Sequence, residues 1–452
     1  MTKPAPSYPL IAPSRESLYD RPSLEAGHAF LRVLVVGTGA REHAIAWSLA
    51  RSDRVTSLLF APGNAGTADL GQNVDHVDPR DPQAVTALAR ENQVDLAVIG
   101  PEDALAAGAV DALSSAGIAC IGPNRSATRL ESSKLFAKQL MREQSIATAR
   151  SDPAHDLGRV EQLLEEMGTP GVLKRDGLAQ GKGVLVSDDH SELVQFARVG
   201  LEHGPVLVEE CLEGGELSQL VLLDGENAVS LPLCSDYKRA FDGDVGPNTG
   251  GMGCVCPVPS VSADLRQSID RDIVERTIAG MRRRGLMFHG MLFIGIIVTP
   301  SGPKVLEYNV RFGDPETQAL LPLLRTDLAE VLLAVANGTL DQVTLEWRPA
   351  SATVVVIAAD GYPAGYATGL RVEPLPAVDV SEGVIFHAGT RRHTEGAVPG
   401  TATAGGRCFA ATGLGPTLAT AVANAYRLAA DVRFPGAWHR SDIGRQFLGT
   451  LG

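Results

Sequence analysis

The stretch VLEYNVRFGDPETQ, residues 305–318, decides how the rest of the chain reads. An aliphatic run at residues 295–298 precedes it, and Thr-Pro-Ser-Gly-Pro at 299–303 separates the two. That order predicts strand, hairpin turn, strand. Along an extended strand, side chains two apart project to one face. Glu307 and Asn309 therefore point the same way, with Val305 beside them and Leu306 and Tyr308 opposite. Two oxygen donors at that spacing suit a hard cation such as Mg²⁺, which keeps waters and takes further ligands from phosphates. Arg311 continues the face if the strand runs so far, and its guanidinium would brace a phosphoryl group in transfer. The same residues also read as a solvated polar strand face with a turn at Gly313, Asp314 and Pro315.

At 452 residues the chain should hold about two to four domains. A net charge of −13 argues against broad nucleic-acid binding, which needs many cations against phosphates. A small anion can still be held by a local nest of amides and a few Lys or Arg. No run approaches the roughly 18 apolar residues of a membrane span, and nothing resembles a signal peptide. The six cysteines, Cys120, Cys211, Cys234, Cys254, Cys256 and Cys408, lack a metal-site spacing and read as free thiols of a reducing cytoplasm. Residues 1–30 are rich in Pro, Ser and charge and read as a flexible extension.

Residues 31–50, LRVLVVGTGAREHAIAWSLA, read as a buried strand, a glycine turn and a helix, the βα unit whose helix N-terminus attracts phosphate. As a dinucleotide fingerprint it fails, because Glu42 stands at the third glycine position, and no acidic residue closes the second strand. Strand at 95–99, helix at 104–116 and strand at 118–122 continue the alternation, which predicts a parallel sheet. Arg41, Glu42, Asn64, Gly66 and Glu102 fall in or beside the loops at its carboxyl edge, as candidates for a small phosphorylated molecule.

Residues 171–186, GVLKRDGLAQGKGVLV, read as two strands around a glycine-rich loop. Lys174 lies on the first strand, and Gly177, Gly181 and Gly183 would let amides approach phosphate oxygens, with Lys182 among them. The Walker A spacing and its following helix are missing. A strand at 205–210 ends in Glu209, Glu210, Cys211 and Leu212, with Glu216 beyond, an edge suited to adenine and a ribose hydroxyl.

Together, the lysine pair, the glycine-rich hairpin, the strand-end glutamates and the Glu-x-Asn strand resemble an ATP-grasp ligase. Within that superfamily, residues 31–445 resemble the glycinamide ribonucleotide synthetases. The segments that carry this are GTGAREHA (37–44), PGNAGT (62–67), GPE (100–102), DGLAQGKGV (176–184), GPNTGGMG (246–253), RFGDPETQ (311–318) and FHAGT (386–390). The resemblance implies an α/β chain with an ATP-grasp fold. An N-terminal parallel-sheet (pre-ATP-grasp) domain would span 31–133, and the ATP-grasp domain 134–330, with its lid at about 145–212. A small C-terminal α+β domain would span 331–452.

It also implies ATP and Mg²⁺ (or Mn²⁺) as cofactors, with Glu307 and Asn309 on the metal. Lys134, Lys174, Gly181, Lys182 and Gly183 would hold the nucleotide phosphates, and Glu209, Glu210, Leu212 and Glu216 its adenosine. Arg311, Lys174, Asn248 and Asp236 would carry the chemistry. Gly39, Arg41, Glu42, Asn64, Glu102, Lys238, Arg239, Thr249, Gly250, Gly251 and Asp314 would meet the substrates, a carboxylate and an amine, one of them a ribosyl phosphate. The expected protein is a cytoplasmic monomer or weak homodimer that activates the carboxylate as an acyl phosphate.

Several positions depart from the family. Ser235-Asp-Tyr-Lys-Arg239 stands where it usually has Gln-Asp-His-Lys-Arg, and Cys254-Val255 where it usually has Ala-Tyr. Ala40, Arg175, Gln180 and Gly215 also differ from the usual residues. Changes of donor, acceptor and volume are what set selectivity among small polar substrates. A second expectation is therefore a paralogue that makes an amide, with ammonia or another amine, on a different ribosyl-phosphate-like carboxylate.

Overall fold

The computed structural model of the chain describes residues 30–178, 183–259, 261–393 and 400–449. The first alternating segments form a five-stranded parallel sheet of Leu31–Gly37, Val55–Pro62, Gln72–Asn73, Leu96–Ile99 and Ala119–Ile121, with the first strand in the middle. Chain order reverses between Leu31–Gly37 and its neighbour Leu96–Ile99, so the loops after them part and leave a crevice at the carboxyl edge. The helix expected over 104–116 is two helices, Glu102–Ala107 and Ala109–Ser115. Gly108 ends the first in a left-handed cap at φ +96°.

Two antiparallel sheets follow. One has the order Ser151–Ala154, Val206–Glu209, Gly171–Arg175, Val184–Ser187. Helices Leu157–Met167 and His190–Leu201 close its own core of Val160, Leu163, Leu173 and Leu193. The other runs Ala228–Ser230, Gly215–Asp224, His289–Thr299, Gly302–Asn309.

The hairpin of the last two strands forms as the sequence predicts, but not with strict alternation. Glu307 pairs with Gly295 and Val305 with Ile296, so Leu306 is skipped: a β-bulge. The extra residue turns Val305 into the core with Tyr308, while Leu306, Glu307 and Asn309 line the cleft. Val305 therefore does not share the face of Glu307 and Asn309.

The last sheet is built on Ser351–Ala359, Arg407–Gly415 and Gly383–His387, backed by helix Leu418–Asp431. Its other edge is made of Gly253–Cys256 and Ser235–Asp236, short strands from the middle of the chain. The loop between those two strands is thus anchored on the C-terminal sheet.

Candidate active site

A cleft of about 810 Å³ runs between the sheet of Gly171–Arg175 and Val206–Glu209 and the sheet of Gly215–Asp224 and Gly302–Asn309, and a smaller chamber of about 130 Å³ opens beside it. Lys174, Val184, Glu209, Leu306 and Glu307 line both.

The bulge explains much of the wall between them. Its skipped residue keeps a carbonyl outside the ladder, and Lys174 Nζ donates to Leu306 O at 3.3 Å. The same ammonium lies 2.8 Å from Glu209 Oε2, while Lys138 Nζ lies 2.9 Å from Glu209 Oε1. Burial pushes the Glu209 carboxyl up, but the Lys174 and Lys138 charges outweigh it and hold the group below its usual range. Burial also pulls Lys138 down to about 8. Glu209 is thus the counter-ion of two lysines, and Glu210, Cys211 and Leu212 continue along the larger cleft.

Ser133 caps helix Lys134–Glu143, which sets Lys134 at its first turn with Nζ 3.0 Å from Gly177 O. Gly183 lines the small chamber; Gly181 and Lys182 lie outside the described residues.

Glu307 and Asn309 face the junction of the two cavities, and each is held by a cation. Lys238 Nζ stands 3.4 Å from Glu307 Oε1 and 3.1 Å from Glu216 Oε2. The Lys238 charge, helped by Lys174 and Lys134, draws the Glu307 carboxyl down to about 2 despite burial. Arg311 Nη2 donates to Asn309 Oδ1 at 3.3 Å and lies 3.2 Å from Glu131, with Nε 3.5 Å from Glu102. Burial lifts Glu131 to about 7 against the pull of Arg311.

An ionised carboxylate beside an amide oxygen is an all-oxygen donor pair of the kind Mg²⁺ or Mn²⁺ takes, leaving its other positions to phosphates and water. Gly295 opposite leaves room for this, since a Cβ there would come 3.2 Å from Glu307 Cγ. Among the described residues no group of three or more His, Cys, Asp or Glu is placed to hold a metal ion.

Across Glu307 stands a second wall. The segment after Pro232 alternates: Ser235 and Tyr237 are buried, whereas Asp236 and Lys238 are partly exposed. Burial lifts Asp236 to about 7; Lys238 opposes this, and Glu316, Glu216 and Glu307 add to it. Arg239 and Asn248 pair at the base of a hairpin. Thr249 then ties back, its backbone N–H and its hydroxyl both donating to Lys238 O at 2.8 and 2.9 Å. Gly250 N–H donates to the Tyr362 hydroxyl. Arg407 reaches across from the C-terminal sheet to Asp314 Oδ2 at 2.7 Å and to Gly250 O and Gly251 O at 2.5 and 3.2 Å.

The third wall is the crevice of the parallel sheet. Glu42 Oε2 accepts from Gly39 N–H at 2.6 Å, and Oε1 from Arg41 Nε at 2.6 Å. Of the amides at this helix N-terminus, that of Gly39 is therefore taken by Glu42, whose side chain fills the turn between Gly37, Gly39 and Gly100. Arg41 Nη1 donates to Phe312 O, tying this loop to the stretch after Asn309. Asn64 is buried and bridges loops: its amide donates to Thr38 O and His387 O, and its Oδ1 accepts from Gly66 and Thr67 N–H. Burial, with His387 adding to it, drops His43 to about 3, so it is neutral when Nδ1 accepts from His387 N–H.

The structure thus gathers Lys134, Lys174, Glu307, Asn309, Arg311 and Glu102 at the small chamber, and Glu216, Asp236, Lys238, Arg239, Asn248 and Thr249 along the larger cleft. Sequence reasoning missed Lys138, Glu131 and Arg407. Lys138 follows Lys134 by one helical turn, a signal that was available; nothing local marks the other two.

Three family models match the chain in order. The phosphoribosylglycinamide synthetase N domain matches residues 31–131, the ATP-grasp (A) domain 132–317 and the C domain 352–446. Phosphoribosylamine–glycine ligase of Rhodopirellula baltica is 44% identical over 438 residues, covering 92% of this chain and 98% of that protein. The enzyme of that name from Streptomyces coelicolor is 43% identical, with coverage of 93% and 100%. The crystal structure of phosphoribosylamine–glycine ligase from Thermotoga maritima superposes with a TM-score of 0.79 at 34% identity, covering 91% of this chain and 100% of that one. A biotin carboxylase domain from Hydrogenobacter thermophilus in complex with MgADP, at 15% identity and a TM-score of 0.69, shares the fold.

Proposed function

The chain belongs to the phosphoribosylglycinamide synthetase family, and from that premise we propose that it is the ADP-forming ligase joining glycine to phosphoribosylamine in purine biosynthesis. The observation that carries the reading is the junction at Glu307, where an oxygen-donor pair, two chamber lysines and Arg311 meet the end of a long cleft.

A carboxylate is a poor electrophile. Its oxygen attacks the γ-phosphorus of ATP, ADP leaves with the bridging oxygen, and the acyl phosphate carries the carboxyl carbon forward. The amine attacks that carbon, loses a proton, and expels inorganic phosphate. Catalysis of such transfers is positioning plus neutralisation of charge on the moving phosphoryl group.

Lys134 and Lys174 hold the phosphates, and Arg311, fixed by Glu102 and Glu131, faces the transferred group. Glu307 and Asn309 would hold Mg²⁺ or Mn²⁺, which would neutralise charge on phosphate oxygens. Leu212 and Glu216 take the adenosine side of the cleft. Asp236, Lys238, Arg239 and the 248–251 loop form the acceptor wall, with Asp314 held to that loop by Arg407. The crevice around Gly39, Arg41, Asn64 and Glu102 takes the ribosyl phosphate. Free thiols at all six cysteines suit a cytoplasmic protein.

The paralogue reading is not favoured. Ser235 and Tyr237 are buried along the cleft with their hydroxyls engaged, Ser235 Oγ donating to Glu216 O and the Tyr237 hydroxyl accepting from Gly444 N–H, and Cys254 and Val255 are buried. At these four positions the departures therefore change packing within the acceptor wall.

ADP release measured with glycine and phosphoribosylamine, each omitted in turn, tests the reading. Turnover is expected only with both. Equal or faster turnover with ammonia, or with another carboxylate in place of glycine, would overturn it.

A further inference from the structure

Arg440 is the largest wholly buried side chain among the described residues, and it sits in the tail after the last long helix rather than in a core. All three nitrogens of its guanidinium are engaged. Nε and Nη2 donate to the two carboxylate oxygens of Asp442 at 2.8 and 2.7 Å, and Nη1 to Asp244 Oδ1 at 2.7 Å and Arg239 O at 2.9 Å. The Tyr237 ring lies beneath it, 4.9 Å from the guanidinium carbon.

The partners share a location. Asp244 and Arg239 belong to the hairpin of Arg239–Phe241 and Val245–Asn248, and Tyr237 lies between Asp236 and Lys238. Residues 241–247 of that hairpin are exposed. Its anchorage comes from the tail. Asp442 Oδ2 accepts from Gly243 N–H at 2.8 Å, Ser441 N–H donates to Asp242 at 2.7 Å, and Trp438 stacks on Phe241 at 5.7 Å between ring centroids. Gln446 and Phe447, a few residues on, line the larger cleft themselves.

We infer that Arg440 is a positioning residue for the acceptor wall: through Tyr237, Arg239 and Asp244 it fixes where Asp236, Lys238 and Asn248 stand. The planar five-donor fork suits this, because it sets distance and angle to several acceptors at once, which an ammonium cannot. Arg440 is buried while Asp244 is exposed, a pairing that adds little net stability and much geometric restriction, so its value here is in register. The inference rests on the ligase reading, since it takes that wall as the acceptor's.

The test measures the KM of each substrate, with hydrogen–deuterium exchange, in wild type, Arg440→Met and Tyr237→Phe. In Arg440→Met the KM for glycine or phosphoribosylamine should rise about tenfold or more, with the KM for ATP within about twofold. Exchange should quicken over residues 237–252 and stay unchanged over the 289–309 hairpin. Tyr237→Phe should move the same quantities less, and Asp244→Asn replaces Arg440→Met if that variant does not fold. A parallel rise of every KM with faster exchange throughout, or no change in either, would overturn the inference. If wild type does not turn over glycine, the ligase reading falls, and the exchange pattern alone decides the role of Arg440.

Discussion

On one side of Glu307 lie Lys134, Lys138, Lys174, Asn309 and Arg311, carried by strands and a helix end and fixed by buried ion pairs. On the other side lie Asp236, Lys238, Arg239 and Asn248, carried by short strands and a hairpin, and held by Arg407 and Arg440 from the C-terminal part. The chamber that would handle phosphate is made rigid from within. The wall that would handle the acceptor takes its shape from a neighbouring unit. On the proposed function, the first half meets the nucleotide and the second the acceptor. Delegating the acceptor wall to a separate sheet lets one half vary without disturbing the other.

The sharpest way to break that division is at the chamber. Glu307→Ala removes one of the two oxygen donors and should cut turnover on the order of a thousandfold. The fold should survive, because Glu307 lies on the cleft side of the bulge and outside the core. Thermal unfolding alongside ADP release checks this, and residual activity near wild type would refute the metal role. Lys174→Met comes next, with a loss of about a hundredfold in kcat/KM. Unlike Glu307→Ala, it should also lower stability by about 3–5 kcal/mol, because Glu209 keeps one lysine of two in a buried setting. Denaturant unfolding reads that cost.

The wall should respond differently. Arg407→Ala cuts the link between Asp314 and the 250–251 carbonyls, so the KM for the acceptor should rise about tenfold while the KM for ATP holds. A comparable rise for ATP would mean that the two halves are not separable.

Asp236 gives the pH signature of the wall. Its folded carboxyl sits at about 7, above the ordinary 3.8. The proton it holds therefore stabilises the fold below the ordinary value, and that contribution is lost as pH climbs toward 7. Relative to Asp236→Asn, wild type should lose stability over that window in melting curves. If the ionised form receives the acceptor amine, kcat/KM should climb severalfold as pH passes 7, and Asp236→Asn should flatten the profile.

The chamber was also the more legible half. Alternation alone put Glu307 and Asn309 on one face, and the lysines and glycines of 171–186 read as a phosphate loop, of which residues 179–182 lie outside the described residues. The bulge at Leu306 was hidden, because one skipped residue leaves no compositional trace, yet it exposes the carbonyl that Lys174 uses. Glu209 reads in the sequence as part of an adenosine edge, and nothing in its strand shows that Lys138 and Lys174 close on it. The wall was hidden for another reason. Arg407 lies 93 residues from Asp314, and Arg440 lies 196 from Asp244. Arginines in an ordinary C-terminal sequence carry no sign of such partners. The strand Ser235–Asp236, two residues long, is below what periodicity can detect.

The smallest effect is the most pointed test of the comparison. Ser235 stands where the family usually has Gln, and a selectivity role for it was a fair expectation from its neighbourhood. Its hydroxyl, however, is already engaged, donating to Glu216 O at 3.2 Å. Ser235→Ala should therefore cost about 1 kcal/mol of stability at most and move the KM for each substrate by no more than about twofold. Melting curves and a glycine-against-ammonia competition check both. A shift in that competition would place selectivity behind the wall as well as on its surface, and the two halves would have to be redrawn with Ser235 among the residues that choose the substrate.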